Sequence, residues 1–352
     1  MGTVSLHRIL IVGIGALGGT IATRAVRAGM PIWLATRTAE SAAAIRSSGL
    51  RVSGVGGTAT VGSLQVAAVG EYAKAERFDL ILVATKAHDA LEAARFLSRL
   101  LVPNGVLLPI QNGSVPMALG KQIGGAVLGG ISNLGATMHG PGIFEQRNAG
   151  HLLIGEPDGG GSERAEGIAD AFRAAVEVRT TPNFADAVWA KLLLNCSVTT
   201  IGAIAAQTMR QYIASEIGKQ VFRETYDEAL AVAQGMGLRP QRMIVDPIPP
   251  GWKGTSVPGE EYEAWISQIL AGYGDVKPSM LQDFERHRLT EIDFINGYVA
   301  KLGRQIGVPT PMNVAITHIV HRIEKGGARP HPELLEEVRR LSRQMSEPFA
   351  YL

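Results

Sequence analysis

The run Ile9-Leu10-Ile11-Val12-Gly13-Ile14-Gly15-Ala16-Leu17-Gly18 places an apolar, β-prone segment directly before G-x-G-x-x-G and a helix-prone segment directly after it. Few arrangements accommodate that order. The first glycine permits a tight turn and the second lets backbone approach a pyrophosphate. The third allows close helix-to-strand packing, and the amide end of the new helix attracts negative charge. Gly13, Gly15 and Gly18, with Ala16 and Leu17 at the helix start, are therefore candidate cofactor-binding residues. A glycine turn with no ligand is the competing reading. The strand before it, the helix after it and a second strand beyond favour the nucleotide.

The end of that second strand bears on which dinucleotide is bound. NAD-binding chains usually carry an acidic residue about twenty positions past the motif, to take the ribose 2′-hydroxyl. This chain carries Ala35-Thr36-Arg37-Thr38 there. A carboxylate would repel a 2′-phosphate, whereas the guanidinium of Arg37 can grip it through charge-assisted bonds, with small hydroxyls adding more. NADPH is the expected cofactor.

The rest of the first half alternates short apolar strands with helices. Arg8 to Val12, Pro31 to Ala35, Leu80 to Ala84 and Val106 to Ile110 read as strands, and Ala16 to Ala28 and Asp89 to Leu101 as helices. Continuous apolar strands separated by helices imply a parallel sheet covered on both faces. Leu50 to Val69, rich in Gly, Val, Thr and Ser, suggests a short antiparallel hairpin or paired strands. Beyond Phe184 the pattern turns helical, with Ala185 to Ile204, Gln220 to Gln234, Ser279 to Leu302 and Met312 to Lys325 as the main segments. The fold class expected is α/β: an N-terminal Rossmann-like parallel-sheet domain, residues 1–183, followed by an all-α domain, residues 184–328. Within the latter, a segment of about 239–275 holds Pro247, Pro249, Pro250, Gly251 and Pro258 around Trp252, Tyr262, Trp265 and Tyr273. It reads as an inserted loop with one short helix. Residues 329–352 read as a charged tail, with a solvated helix from Pro330 to Arg343.

Bulk properties exclude several classes. A formal charge of +2 over 352 residues gives no broad field to hold nucleic acid or a membrane surface, so a small anionic ligand is the expected partner. The single cysteine, Cys196, rules out an internal disulfide, and a cytoplasmic location is expected. Met1 to Leu10 lacks the pattern of a secretory signal, and the acylation pattern starting at Gly2 meets Leu6 where Ser or Thr belongs. No uninterrupted apolar run is read as crossing a bilayer. His318 and His321 read as isolated, so no metal site is expected.

Further stretches carry a resemblance. Val83-Ala84-Thr85-Lys86-Ala87, Gln111-Asn112-Gly113, Gly135-Ala136 with Gly140-Pro141-Gly142, and Trp189-Ala190-Lys191-Leu192-Leu193-Leu194-Asn195-Cys196 occur in this order. Ser279-Met280-Leu281-Gln282-Asp283 and Thr290-Glu291-Ile292-Asp293-Phe294-Ile295-Asn296-Gly297 follow them. Together they resemble the ketopantoate reductase family, the 2-dehydropantoate 2-reductases, from about Ile9 to Thr317. The resemblance implies NADPH-dependent reduction of a 2-keto acid to a 2-hydroxy acid, most directly 2-dehydropantoate to pantoate.

Hydride arriving at a carbonyl carbon leaves charge on oxygen, so a positioned cation or acid lowers the barrier. By resemblance Lys191 is that general acid, Glu291 its carboxylate partner, and Asn112 a residue of the cofactor and active-site junction. Asn195 lies one helical turn from Lys191, so the two share a face. Asn195, Thr199 and Ser279 are the substrate-binding candidates, and Lys86 joins the cofactor set. For each there is a plainer role: a snorkelling lysine for Lys191, a solvated face for Glu291, a turn residue for Asn112, a cap for Ser279 and a strand-end charge for Lys86. Thr199 stands where the family usually has a second asparagine, and Val276 where asparagine is frequent. Losing amides at such places weakens discrimination, which leaves a bulkier 2-keto acid open and would make the 239–275 insertion its lid. A 3-hydroxy acid dehydrogenase is the alternative enzyme, and an NADP-binding sensor the non-enzyme reading. The apolar faces of the C-terminal helices are compatible with a homodimer.

Overall fold

The computed structural model describes residues 6–72 and 76–346. The signal and acylation readings at Met1 to Ser5, and the last six residues of the tail, lie outside them. The chain divides into two compact units, residues 1–184 and 185–352.

The first unit is built on a parallel sheet. Its strands are β1 (Ile9–Val12), β2 (Ile32–Thr36), β5 (Gln65–Ala68), β6 (Phe78–Val83) and β7 (Leu101–Pro109). They lie in the order β5-β2-β1-β6-β7, all parallel, which is the Rossmann order running outward from a central first strand. Helices α1 (Ala16–Arg27), α2 (Ala39–Ser48), α3 (Ala87–Ser98) and α4 (Val115–Ile123) connect it. Ile9, Leu10 and Ile11 are fully buried, as a strand covered on both faces requires. Between β2 and β5 the chain makes the antiparallel pair β3 (Leu50–Gly54) and β4 (Ala59–Val61), with Leu50 opposite Val61. The paired strands expected from Leu50 to Val69 thus divide, β3 and β4 pairing antiparallel while Gln65–Ala68 joins the parallel sheet.

Further along, β8 (Gly129–Ser132), β9 (Ala136–Gly140), β10 (Ile143–Gln146), β11 (Leu152–Gly155), α5 (Glu163–Phe172) and β12 (Val178–Thr180) complete the unit. Together with β3 and β4, these strands form two smaller sheets, ordered β4-β3-β10-β9 and β12-β11-β8.

The second unit is helical among the described residues. Helix α6 (Phe184–Leu194) runs without a break into a π turn, Asn195–Thr199, and on into α7 (Thr200–Ala205). The helices that follow are α8 (Met209–Tyr212), α9 (Glu216–Gly235), α10 (Glu260–Tyr273), α11 (Ser279–Glu285), α12 (Asn296–Ile306), α13 (Pro311–Glu324) and α14 (Leu334–Ser346). Phe184–Ala205 has the length and hydropathy to cross a membrane, which the sequence reading did not credit. Most of that stretch, 83%, is buried inside the protein, so its apolarity is that of a core helix.

Two segments differ from expectation. The insertion contains a helix of 14 residues, α10, and is part of the core. Trp265 packs edge-on against Tyr226 at 5.1 Å and stacks with Tyr262 at 5.6 Å, while its Nε1 donates to the Asp246 carbonyl at 2.7 Å. Asp227 accepts from the Ser256 amide at 2.8 Å and hydroxyl at 2.5 Å. Burying large aromatic rings here outweighs exposing them on a loop, at about 1.5–3 kcal/mol per side chain. The tail also departs from a solvated helix, because Leu335 and Val338 of α14 are buried in the same core.

Candidate active site

In the first unit the glycine turn has the geometry its sequence implies. Gly13 adopts φ +92, and a Cβ there would stand 2.7 Å from the Thr85 backbone nitrogen. A Cβ on Gly18 would stand 2.1 Å from the Gly13 carbonyl oxygen, so helix and turn touch backbone to backbone. Gly15 differs, since nothing lies within 4 Å of its Cβ position. Helix α1, which opens with Ala16 and Leu17, has no acidic residue in its first turn and no side-chain cap. Its leading amides therefore face no competing anion of their own helix.

Around this turn sit polar atoms that the protein itself does not satisfy. The side-chain amide of Gln111 donates to the carbonyls of Val83 (3.0 Å) and Thr85 (2.9 Å), tying the ends of β6 and β7 together. Its Oε1 and the Thr85 hydroxyl are buried with no partner. Buried polar atoms are normally paired, so such orphans mark a place where a ligand or water completes the bonding. Lys86 precedes α3 and Asn112 follows β7, both partly buried. The open side of Gly15, the uncapped helix end and these orphans fit a dinucleotide. Neither Gln111 nor Thr85 stood out as a ligand-facing residue in the sequence, where they read as parts of a turn motif.

Arg37 lies exposed just past β2, paired with Asp89 of α3. The guanidinium has five donors and this pair engages one of its nitrogens. An exposed pair of this kind contributes at most about 1 kcal/mol, so a phosphate can compete for the arginine. The neighbouring hydroxyls are committed locally: Thr36 donates to the Thr38 carbonyl at 2.8 Å, and Thr38 caps α2 by accepting from the Ser41 amide.

The second unit gathers Lys191, Asn195, Thr199 and Glu291. Lys191 is partly buried on the last turn of α6. Burial pushes its pKa down from the ordinary lysine range to about 8, and the charge of Glu291 partly opposes that fall. Glu291 is 9% exposed and leads a short 3₁₀ turn, Ile292–Phe294, with φ −100 and ψ 24, in the sparsely populated bridge region where active-site residues often sit. Its neighbours brace it. Thr290 donates from its amide (2.8 Å) and hydroxyl (2.7 Å) to Glu324, and His321 bridges Glu324 and Asp293, each at 2.9 Å. His321 is therefore no isolated histidine. Burial lowers its pKa, but the two carboxylates outweigh burial and leave it raised.

The π turn sets how the helix presents its polar side chains. In an α-helix each residue advances about 100°, so residues four apart drift by about 40° and a third such residue drifts further. A π turn holds more residues per turn, so Thr199 falls back toward the line of Lys191 and Asn195. Such turns inside α-helices are frequent at functional sites. Asn195 is the better placed of the two substrate-binding candidates on this helix, since its Nδ2 is buried and unpartnered. Thr199 is a different case. Its hydroxyl donates to the Asn195 carbonyl at 3.0 Å, leaving only acceptor capacity for a ligand. Ser279 is exposed as the first residue of α11 and caps nothing, the cap position being Pro278. Val276 is 51% exposed and offers no amide.

Comparison with known proteins assigns the family. The model for "Ketopantoate reductase PanE/ApbA" matches residues 9–159 and that for its C-terminal domain matches residues 183–324. The chain belongs to the ketopantoate reductase family. As a member it is an oxidoreductase of the 2-dehydropantoate 2-reductase type. It is 28% identical over 319 residues to a 2-dehydropantoate 2-reductase of Pyrococcus abyssi, covering 89% of this chain and 96% of that one. A second such reductase, from Archaeoglobus fulgidus, is 27% identical, with 91% and 99% covered. The crystal structure of the Geobacter metallireducens GS-15 reductase superposes with a TM-score of 0.75 at 27% identity, over 90% of this chain and 99% of that one.

Proposed function

We propose that this chain reduces 2-dehydropantoate, or a closely related 2-keto acid, to the 2-hydroxy acid with NADPH. The observation that carries the proposal is the placement of a partly buried lysine, Lys191, near the buried carboxylate of Glu291, and burial pushes that lysine's pKa down to about 8. At pH 7 such a lysine is about nine-tenths protonated, yet it is far more acidic than a free amine, as suits a general acid working near neutrality. NADPH supplies the hydride. Lys191 polarises the substrate carbonyl and passes its proton to the oxygen as the C–H bond forms, leaving the amine neutral. Glu291 holds the ammonium oriented and charged before that step. Asn195 offers its free Nδ2 as a donor to the keto acid, and Ser279 offers a hydroxyl. The glycine turn and the amides of Ala16 and Leu17 take the pyrophosphate, Arg37 takes the 2′-phosphate, and Lys86 and Asn112 complete the cofactor's surroundings.

The donors present are fewer than an asparagine-rich site would hold, since the Thr199 hydroxyl is committed and Val276 has no amide. This favours, as a second reading, a 2-keto acid with a bulkier, less polar side chain. Domain boundaries at 183 and 328, a location in the cytoplasm and a homodimer belong to the same proposal.

The test is loss of reduced-nicotinamide absorbance with a panel of 2-keto acids that includes 2-dehydropantoate, using Lys191→Ala as control. Turnover with NADPH that is abolished in the control is expected. Turnover that survives in Lys191→Ala, or none with any 2-keto acid, would overturn the reading.

A further inference from the structure

The π turn needs holding: backbone amides serve it in part, the Thr200 amide reaching the Asn195 carbonyl five residues back, and side chains supply more. Much of the service comes from within. The Thr199 and Thr200 hydroxyls both reach the Asn195 carbonyl at 3.0 Å, and Ser197 reaches the Leu193 carbonyl at 2.7 Å. One donor comes from another helix: Asn296 Nδ2, at the start of α12, donates to the Cys196 carbonyl at 3.3 Å.

Asn296 is itself oriented from a distance. Its Nδ2 also donates to Asn313 Oδ1 on α13 at 3.0 Å, and Asn313 Nδ2 donates to Glu228 Oε2 on α9 at 2.8 Å. Both asparagines are fully buried. Glu228 meanwhile accepts the amides of Met312 (2.8 Å) and Asn313 (2.9 Å) at the head of α13. Burial raises the Glu228 pKa to about 7, and in its ionised form the carboxylate only accepts; together with the Thr225 carbonyl, which accepts Asn313 Nδ2 at 3.3 Å, it turns the NH₂ of Asn313 toward α9. The Asn313 oxygen must then face Asn296, whose NH₂ is thereby turned to the Cys196 carbonyl.

We propose that Asn296, oriented by Glu228 through Asn313, is the positioning residue that keeps the helix open into its π turn, one turn after Lys191. This inference rests on the keto-acid reduction proposed above, and it names residues outside the reacting groups. If the turn closes to α geometry, the register between α6 and α7 shifts by one residue. Lys191, Asn195 and Thr199 then no longer share a line, and the ammonium changes its distance from Glu291.

The experiment uses Glu228→Gln, which alters one atom type and little volume, alongside Asn296→Ala. The substituted side chain presents one acceptor and one donor group to three donors, so the orientation of both asparagines is held only by the longer bond from Asn313 Nδ2 to the Thr225 carbonyl, at 3.3 Å. For each variant, kcat, KM, NADPH affinity and melting temperature are measured, together with the Lys191 pKa read by NMR of the reductively ¹³C-methylated protein and assigned with Lys191→Arg. Displacing a catalytic group by about an ångström costs up to about 100-fold in rate, so kcat in Asn296→Ala should fall about 10- to 100-fold and in Glu228→Gln less. NADPH affinity should stay within about two-fold, and the Lys191 resonance should titrate at a different pH from wild type. Lower melting temperatures with unchanged kcat per folded molecule and an unchanged Lys191 titration would reduce the network to simple helix packing and overturn the proposal. Should wild type turn over no 2-keto acid, the functional reading fails alone, and the Lys191 titration still decides the role of Asn296.

Discussion

Glu291→Gln isolates the electrostatics of the candidate site. Two opposing influences act on Lys191: burial lowers its pKa and the Glu291 charge raises it, with the balance at about 8. Glutamine keeps the shape and removes the charge. An opposite charge at close range typically contributes about 1–3 pKa units, so Lys191 in the variant should titrate between about 5 and 7. With a midpoint near 6, only about one-tenth of the enzyme would carry the ammonium at pH 7, against about nine-tenths in wild type. Protonation alone then predicts a loss of about ten-fold in kcat at pH 7, largely regained at pH 5. The assay is the pH profile of kcat at saturating NADPH and keto acid. Wild type should lose activity as pH rises through about 8, and the variant should show the same limb displaced to lower pH. An undisplaced limb, or a loss equal at every pH, would mean that Glu291 does not act through the charge of Lys191.

Other outcomes follow from the same geometry. Arg37→Ala should weaken NADPH binding by about ten-fold or more while sparing NADH, by loss of charge-assisted bonds to the 2′-phosphate, as read by nicotinamide fluorescence titration. Gly18→Ala places a methyl 2.1 Å from the Gly13 carbonyl, and should abolish dinucleotide binding with a clear drop in melting temperature. Lys191→Met should inactivate the enzyme yet stabilise it below pH 8, by up to about 3 kcal/mol in denaturant titrations, because a depressed lysine pKa means that burying the charged form opposes folding. That stabilisation should shrink as pH rises from about 8 to 10.5, where the wild-type amine is neutral when folded. His321 has a raised pKa, so its contribution is complete below about 6.5 and fades as pH climbs past its folded value. His321→Gln should flatten that slope, by under about 1 kcal/mol for so exposed a side chain.

How much of this could be read in the sequence depended on whether a residue's role is local. The glycine turn was legible because its constraints are steric and lie within a few residues: Gly13 needs positive φ and Gly18 cannot carry a Cβ. The parallel strands were legible because burial on both faces leaves a continuous apolar run, as in Ile9–Val12. Gln65–Ala68 was harder, because an edge strand of four residues carries no such run and its partner, β2, is distant in the chain. The packing of the insertion into the core was not legible for a related reason. Its prolines and glycines dominate the local pattern, whereas its fate is decided by Trp265 and Tyr262 meeting Phe222 and Tyr226 on α9. The lid suggested by that composition finds no support in residues so firmly packed.

The π turn was the least legible feature, and it changes what the substitution at position 199 means. Read as an ordinary helix, Thr199 in place of an amide is simply one donor fewer. In the structure its hydroxyl, together with that of Thr200, is bonded to the Asn195 carbonyl, which also accepts the Thr200 amide across the widened turn. Threonine at 199 therefore trades a side chain that could reach a ligand for one that braces the backbone carrying Asn195. The buried, unpartnered Nδ2 of that asparagine is then the donor whose direction the turn controls. Discrimination among keto acids on this helix should accordingly reside in Asn195 more than in Thr199. Thr199→Asn would add an amide to the helix but remove a brace from the turn. Its KM for a polar keto acid should fall only if kcat falls as well, and a lower KM with undiminished kcat would show that the turn stands without the Thr199 hydroxyl.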